Sequence, residues 1–481
     1  MTQQLARQYN LFEVHPAAVA HDEWTFNRAP TRMLTHCYHD YPARMIPQVA
    51  GKCIETYGRS ARLLFDPYCG TGTSMVEAVV RGMDAVGTDL NPLARLIAEA
   101  KTATPSLGDI DSTMAAFKRA RFAAGQAAWE GSDEVRGINV AFWFKDYVVV
   151  ELAAMRRFVD SIPDGQTALF FRVAFSETVR ESSNTRVAEF KLFRYAPDKL
   201  VRFKPDPWKL MSLKLARNRA GLADFLEVLL RLRRAPQASV YGFNTVLGIP
   251  NEVSLKPGGV DLVVTSPPYG DSRTTVAYGQ YSRLSAAWLG MDEHASVDRM
   301  LMGGRPPKSI VRFGCAPLDD AIAKIAESDF QRALDVVSFY VDLRSSIAHV
   351  GELVAAGGHA CYVVGNRKVK GVVLPTDTAI RYLFAKGGFE HAATHTRSIP
   401  NKRMPLRNSP SNITGQLDAT MTREFIVVMR KPSLTETMLP VVADRPSTAR
   451  PRVRRRPARK LPSRAAPKPR ETKRDVRTKR R

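Results

Sequence analysis

The sequence has no apolar run long enough to span a bilayer, and its first residues are polar rather than signal-like. Neither a membrane-spanning nor a secreted protein is therefore expected. Cysteine is scarce. Cys37, Cys53, Cys69, Cys315 and Cys361 form no CxxC pair and no zinc spacing, which excludes a disulfide framework and a zinc module. Reduced thiols of a cytoplasmic protein, with no bound metal, are the expectation. No glycine turn runs into Gly-Lys-Ser/Thr, so a phosphate-cradling loop is absent. Internal repeats are absent too. Acidic residues are outnumbered, 47 against 71 Lys and Arg, for a net charge of +24.

Of that excess, +14 sits in residues 441–481, where 17 basic residues face three acidic ones. This stretch is rich in proline and poor in apolar residues, and is expected to be a disordered basic tail (433–481). The remaining +10 also suits a polyanionic partner. Across 481 residues, 44% hydrophobic content is normal for a globular protein and sufficient for a large core.

The most informative stretch is Thr265-Ser266-Pro267-Pro268-Tyr269, which follows the apolar run Asp261-Leu262-Val263-Val264. Two adjacent prolines cannot continue a strand ladder, since neither has an N–H and both have fixed φ. The chain must leave the sheet there, with unpaired carbonyls beside an aromatic ring. Such a turn suits gripping the exocyclic amine of a base while stacking on its ring.

Upstream, Arg62-Leu63-Leu64-Phe65-Asp66-Pro67-Tyr68-Cys69-Gly70-Thr71-Gly72-Thr73 reads as a strand entering a glycine turn. A helical segment follows, and then a second strand, Asp84-Ala85-Val86-Gly87-Thr88-Asp89. Gly70 and Gly72 allow close approach of a ligand. Asp89 stands 23 residues after Asp66, the distance at which βαβ folds place a ribose-binding carboxylate. The third position of a dinucleotide fingerprint is Met75, which argues against close pyrophosphate packing. A nucleoside-type ligand without polyphosphate remains, and S-adenosylmethionine fits.

Three motifs in compatible order, Asp66 to Thr73, Gly87-Thr88-Asp89-Leu90-Asn91-Pro92 and Thr265 to Tyr269, resemble the cofactor and catalytic motifs of amino-methylating DNA methyltransferases. Ser before the prolines resembles the cytosine-N4 branch; the adenine-N6 branch usually has Asp or Asn there. His39-Asp40-Tyr41-Pro42-Ala43-Arg44-Met45-Ile46-Pro47 is similar to the family segment beneath the methionine end of the cofactor. The resemblance covers residues 30–104 and about 238–431. It implies a class I, Rossmann-like fold and cofactor contacts from Tyr41, Pro42, Asp66, Pro67, Cys69, Gly70, Gly72, Thr73, Asp89, Leu90 and Asn244. Ser266, Pro267, Pro268 and Tyr269 would be catalytic.

Strands are expected at 62–66, 84–89, 238–243, 261–265, 359–365 and 423–429, with helices at 74–82, 92–101 and 331–356. Alternating β and α elements predict a doubly wound, mostly parallel sheet. Ligand chemistry then belongs at the carboxyl ends of the strands, where both turns lie. The resemblance makes the last strand antiparallel and divides the core into 30–104 and 238–432. Residues 105–237 interrupt it as a mainly helical insertion, a candidate for target recognition. Basic and aromatic residues interleave there, so Arg180, Lys191 and Arg194 are candidate DNA contacts. Arg273 and Arg283, after the proline turn, and Lys402 and Arg403, before the last strand, are the others.

The expected activity is methylation of cytosine N4 in double-stranded DNA, by a solitary enzyme or one paired with a restriction endonuclease. Adenine N6 is the runner-up. An RNA guanine-N2 enzyme usually reads Asp-Pro-Pro-Tyr and carries an RNA-binding domain, which is not expected here. A catalytically dead binder is disfavoured by the intact turns.

Overall fold

In the computed structural model, residues 23–124, 135–186, 191–271, 277–291, 297–399, 407–408, 418–419 and 421–433 are described. Among them, seven strands make the main sheet: β1 (Leu63–Asp66), β2 (Asp84–Thr88), β3 (Ala238–Tyr241), β4 (Val260–Thr265), β5 (Val354–Val364), β6 (Glu390–Ser398) and β7 (Arg423–Arg430). Their order is β3-β2-β1-β4-β5-β7-β6. The first five run parallel, and β7 pairs antiparallel with both β5 and β6. The doubly wound, Rossmann-like architecture is as expected.

Strand periodicity explains the two cores. Successive side chains leave a strand on opposite faces. Leu64, Leu262, Val264, Cys361, Val363, Ile426 and Val428 therefore enter one apolar cluster. Their neighbours Phe65, Val263, Ala360, Tyr362, Val364, Val427 and Met429 enter the other. Strands buried on both faces read as continuous apolar runs, which is why β1, β4 and β7 stand out in the sequence.

The first face is covered by α1 (Pro47–Tyr57), α2 (Thr73–Val79) and α3 (Pro92–Thr102), through residues such as Ile54, Met75, Val76 and Ile97. The described residues of 105–237 are mainly helical, with α4 (Leu107–Ala124), α5 (Asp146–Asp160), α6 (Gly165–Ser182) and α7 (Pro207–Leu230). Their Phe117, Leu152, Phe170, Phe171 and Phe225 join the same cluster. This segment is thus a further helical layer over the first face and shares its core. Beyond the proline turn, α8 (Tyr278–Trp288) also packs there, through Leu284 and Trp288. The second face is covered by α9 (Ala316–Ser328), α10 (Phe330–Leu353) and α11 (Thr376–Lys386).

Two details differ from expectation. β6 was not expected, because Glu390 to Ser398 offers no apolar face and lies mostly exposed at the sheet edge. β5 begins at Val354, where a helix was expected to run on to 356. A register irregularity after Val260 admits Gly357 and Gly358 into the strand, and α10 ends at Leu353.

Candidate active site

β1 and β4 are adjacent and parallel, with Phe65 level with Val263. The glycine turn after Asp66 and the proline turn after Thr265 therefore emerge side by side. Asp66 joins them. Its Oδ1 accepts from Thr265 Oγ1 at 2.5 Å and from the Tyr68 amide at 3.1 Å, and its Oδ2 accepts from Ser74 Oγ of α2. Burial pushes this carboxyl up to about 6, partly opposed by the Ser74 and Thr265 hydroxyls. Asp66 lines the cleft, but three donors within the protein already engage it.

The glycines divide the work of the turn. Gly72 (φ +72°) caps α2, and a Cβ there would lie 2.9 Å from Ala98 Cβ of α3. It lets the turn rest on α3. Gly70 (φ +49°) has nothing within 4 Å of the corresponding position. A side chain there would enter open space, as a ligand cradle requires. Cys69 and Met75 pack against Gly87 of β2, so Met75 is a core residue.

Asp89 closes the other side. Its Oδ2 accepts from the Gly70 amide at 3.0 Å and its Oδ1 from the Asn91 amide at 2.8 Å. Burial raises its pKa, against those two backbone donors and Arg95. Asn91 caps α3 through Leu93 N at 3.1 Å, and its Nδ2 donates to Tyr41 OH and Ser282 Oγ, each at 2.9 Å. The Tyr41 and Tyr278 rings stack with centroids 6.0 Å apart.

The Tyr41 segment is pinned from below. Arg44 Nη1 donates to the His39 carbonyl at 3.0 Å and the His36 carbonyl at 3.2 Å. Glu177 of α6 accepts from the Asp40 amide at 3.1 Å and from Arg217 of α7 at 2.7 Å. Burial would raise the Glu177 carboxyl, but His39, Lys214 and Arg217 outweigh it and hold it at about 2. Burial holds His39 near 4, so its imidazole is neutral at pH 7. The helical layer thus fixes one wall of the site.

These elements enclose a cleft open to solvent, concave and lined by aromatic and apolar groups with a few convergent polar ones, as small-molecule sites are. Tyr41, Pro42, Asp66, Pro67, Cys69, Gly70, Thr73, Asp89, Leu90 and Asn244 all line it; Gly72 does not, being committed to helix packing. Ser266 and Pro268 line it too. A second cavity shares Ala43, Arg44, Met45, Ser266, Pro268 and Tyr278 with the first, and adds Pro267, Tyr269, Val363, Arg397 and Glu424. Ser266 Oγ donates to the Val363 carbonyl at 3.0 Å. Tyr269 OH donates to Glu424 Oε1 at 3.0 Å, and burial raises its pKa well above the usual phenol.

The donor set fits a nucleoside bearing a cationic amino-acid arm. Gly70 leaves room, Asp89 offers acceptors to hydroxyls, and the Tyr41–Tyr278 pair offers aromatic surface. Asn244 lies in the cleft, while its Oδ1 accepts from Val246 N at 3.0 Å in a local turn. Tyr278, Asn91 and Phe243 also line it, beyond the expected contacts. Asn91-Pro92 does carry a legible signal, a capping residue followed by proline at the first helical position. Tyr278 carries none.

The expected DNA contacts fare differently. Arg180 is a correction. It is only 3% exposed, its Nη1 donates to the Tyr281 carbonyl at 3.1 Å, and its guanidinium lies 3.9 Å from the Tyr281 ring centroid. It braces α8 against α6 and has no open face for a phosphate. Lys191 is exposed. Arg194 is half-buried, 4.4 Å from the ring centroid of Phe142, itself 41% exposed. Arg283 is half-buried on α8. Arg273, Lys402 and Arg403 lie outside the described residues, as does the expected tail from 434 onward. Among the described residues no group of three or more His, Cys, Asp or Glu is placed to hold a metal ion. No helix there is long and apolar enough to cross a membrane.

No family model matches the chain. Over 423 residues it is 36% identical to the type II methyltransferase M.MvaI of Kocuria varians, spanning 84% of this chain and 93% of that protein. A 66-residue stretch is 32% identical to the type II methyltransferase M.MjaII of Methanocaldococcus jannaschii, 14% of this chain and 12% of that one. Among solved structures, a DNA modification methylase from Thermus thermophilus in complex with S-adenosyl-L-methionine shares 19% identity at a TM-score of 0.19. That match takes in 37% of this chain and about half (51%) of that one. The rRNA methyltransferase aviRa from Streptomyces viridochromogenes shares 10% identity at a TM-score of 0.29, over 82% of this chain and 88% of that one. Likenesses this faint add nothing to the first relationship. On the extent and identity of its match to M.MvaI, and with a cleft suited to S-adenosylmethionine as methyl donor, this chain belongs to the type II methyltransferases.

Proposed function

We propose that the protein is a site-specific DNA methyltransferase acting on the exocyclic N4 amine of cytosine in double-stranded DNA. The observation that carries this reading is the state of Ser266. Its hydroxyl hydrogen is directed at the Val363 carbonyl, so its lone pairs remain to accept from an amine. The same side chain lines both the cofactor cleft and the second cavity. An amine held there sits at the junction of the two.

Cytosine N4 is a poor nucleophile, because its lone pair is delocalised into the ring. Ser266 Oγ and the Pro267 carbonyl would accept its two hydrogens, draw the nitrogen toward tetrahedral geometry and localise that pair. Tyr269 would offer its ring to a base extruded from the duplex. When bound, S-adenosylmethionine supplies an electrophilic sulfonium methyl. No protein nucleophile is required: Cys69 is buried with its thiol pKa pushed well up, and all five cysteines are buried and free. Catalysis rests on positioning and local electrostatics.

Ser266, where the adenine-N6 branch usually carries Asp or Asn, favours cytosine N4 over adenine N6, as the resemblance implies. Exposed Lys191 and the Phe142–Arg194 pair are the described groups offered to the DNA backbone. A cognate restriction endonuclease and a cytoplasmic setting complete the reading. Incubation of the protein with plasmid DNA and methyl-labelled cofactor, followed by nucleoside mass spectrometry, is expected to give N4-methylcytosine. N6-methyladenine, or label in RNA alone, would overturn it.

A further inference from the structure

Arg397 of β6 and Glu424 of β7 are register partners, and both line the second cavity with Ser266 and Tyr269. Arg397 Nη1 donates to Glu424 Oε2 at 2.7 Å, while Glu424 Oε1 accepts from Tyr269 OH at 3.0 Å. Glu424 therefore ties the guanidinium to the catalytic turn. Arg397 is 6% exposed, and its Nε–H has no hydrogen-bond partner. A buried guanidinium donor without an acceptor is unfavourable and rare. Here it belongs to a residue in a cavity wall, where an incoming ligand can supply the acceptor.

Gripping an amine through Ser266 and Pro267 fixes one atom of a base. It leaves the ring free to pivot and does not choose the ring. Cytosine carries two acceptors in succession beside its amine, N3 and O2. Adenine carries one, N1, followed by a C–H. A guanidinium presents neighbouring N–H donors in one plane and matches paired acceptors, which a lysine ammonium does not.

We propose that Arg397 determines target-base specificity, its guanidinium meeting N3 and O2 of the cytosine held by Ser266. This rests on the cytosine-N4 reading above. Glu424 then holds the guanidinium in plane and couples it to Tyr269. A purely structural Arg397–Glu424 pair is the competing account, and it predicts that replacing Arg397 leaves the enzyme's discrimination between ring analogues of the base unchanged.

The test uses the full-length protein, with the modified position first located on plasmid DNA by nucleoside mass spectrometry and sequencing. Duplex oligonucleotides then carry either cytosine or 3-deazacytosine at that position; the analogue keeps the amine and O2 but has C–H in place of N3. Arg397→Met and Arg397→Lys are compared with wild type, with cofactor affinity and thermal melting measured for each. Both variants are expected to lose about 10- to 100-fold in kcat/KM on cytosine, the range for a hydrogen bond to a charged group. They are also expected to discriminate between the two oligonucleotides less than wild type does, by at least about tenfold. If both variants keep the wild-type ratio between the oligonucleotides, Arg397 is structural and the proposal fails. N6-methyladenine in the plasmid would instead overturn the cytosine reading and this proposal with it. N4-methylcytosine with an unchanged ratio overturns Arg397 alone. Should Arg397→Met not fold, Arg397→Lys, which keeps a cation beside Glu424, decides the matter.

Discussion

Replacing Ser266 with alanine removes one oxygen and tests the assigned chemistry directly. Ser266 is half-buried, and its hydroxyl makes one hydrogen bond of normal length, to the Val363 carbonyl at 3.0 Å, with Tyr269 OH further off at 3.4 Å. Loss of such a bond lowers stability by about 1 kcal/mol, so the variant should fold. Its Asp66 and Asp89 anchors are untouched, and cofactor affinity by calorimetry should stay within about threefold of wild type. Turnover should fall far more. Removing one preorganised polar group that faces the reacting atoms lowers kcat by about 100- to 1,000-fold, equivalent to about 3–4 kcal/mol. Incorporation of labelled methyl into DNA measures kcat and KM separately, and the loss belongs in kcat. A Ser266→Ala enzyme with more than a tenth of wild-type kcat would refute the role given to this hydroxyl.

The two glycines of the cofactor turn should fail differently. Gly72→Ala combines a positive φ with a 2.9 Å approach to Ala98 and should lower stability by about 1–3 kcal/mol, read as a drop in melting temperature. Gly70→Ala shares the positive-φ strain but meets no protein atom, so its melting loss should be the smaller and its larger effect should be on cofactor affinity; equal melting losses for the two would contradict this division. Asp66 gives a pH dependence with a definite sign. Its folded pKa of about 6 exceeds the ordinary 3.8, so the folded state holds the proton more tightly. The stability it contributes is complete below pH 3.8 and is lost as pH rises through 6. The whole displacement amounts to about 3 kcal/mol. Melting of wild type between pH 4 and 7 should show this trend, and Asp66→Asn should flatten it; identical profiles for the two proteins would show that another group titrates.

Much of the sheet was legible because its central strands are buried on both faces. Leu63 to Asp66, Val260 to Thr265 and Glu424 to Arg430 are short apolar runs with clear stops. The proline pair ends β4 at Thr265 for the reason apparent in the sequence, the absence of N–H groups. β6 escaped because an edge strand needs no apolar face, and Glu390 to Ser398 is mostly exposed. Arg180 departs from expectation because a basic residue beside aromatic ones reads alike in two settings. On a surface it would meet phosphate; here it stacks within the protein on Tyr281, 101 positions away.

The residue pattern by itself determined the βαβ order, the two turns and the chemical character of each, because backbone constraints at glycine and proline are local. Proximity was decided only by folding. Asp66 and Thr265 are 199 positions apart, yet parallel pairing of β1 with β4 places their side chains in hydrogen-bonding contact. Arg397 and Glu424 reach the second cavity because β7 inserts antiparallel between β5 and β6. Local chemistry is written residue by residue, whereas a pocket wall depends on strand register, and register is set by the packing of the whole sheet.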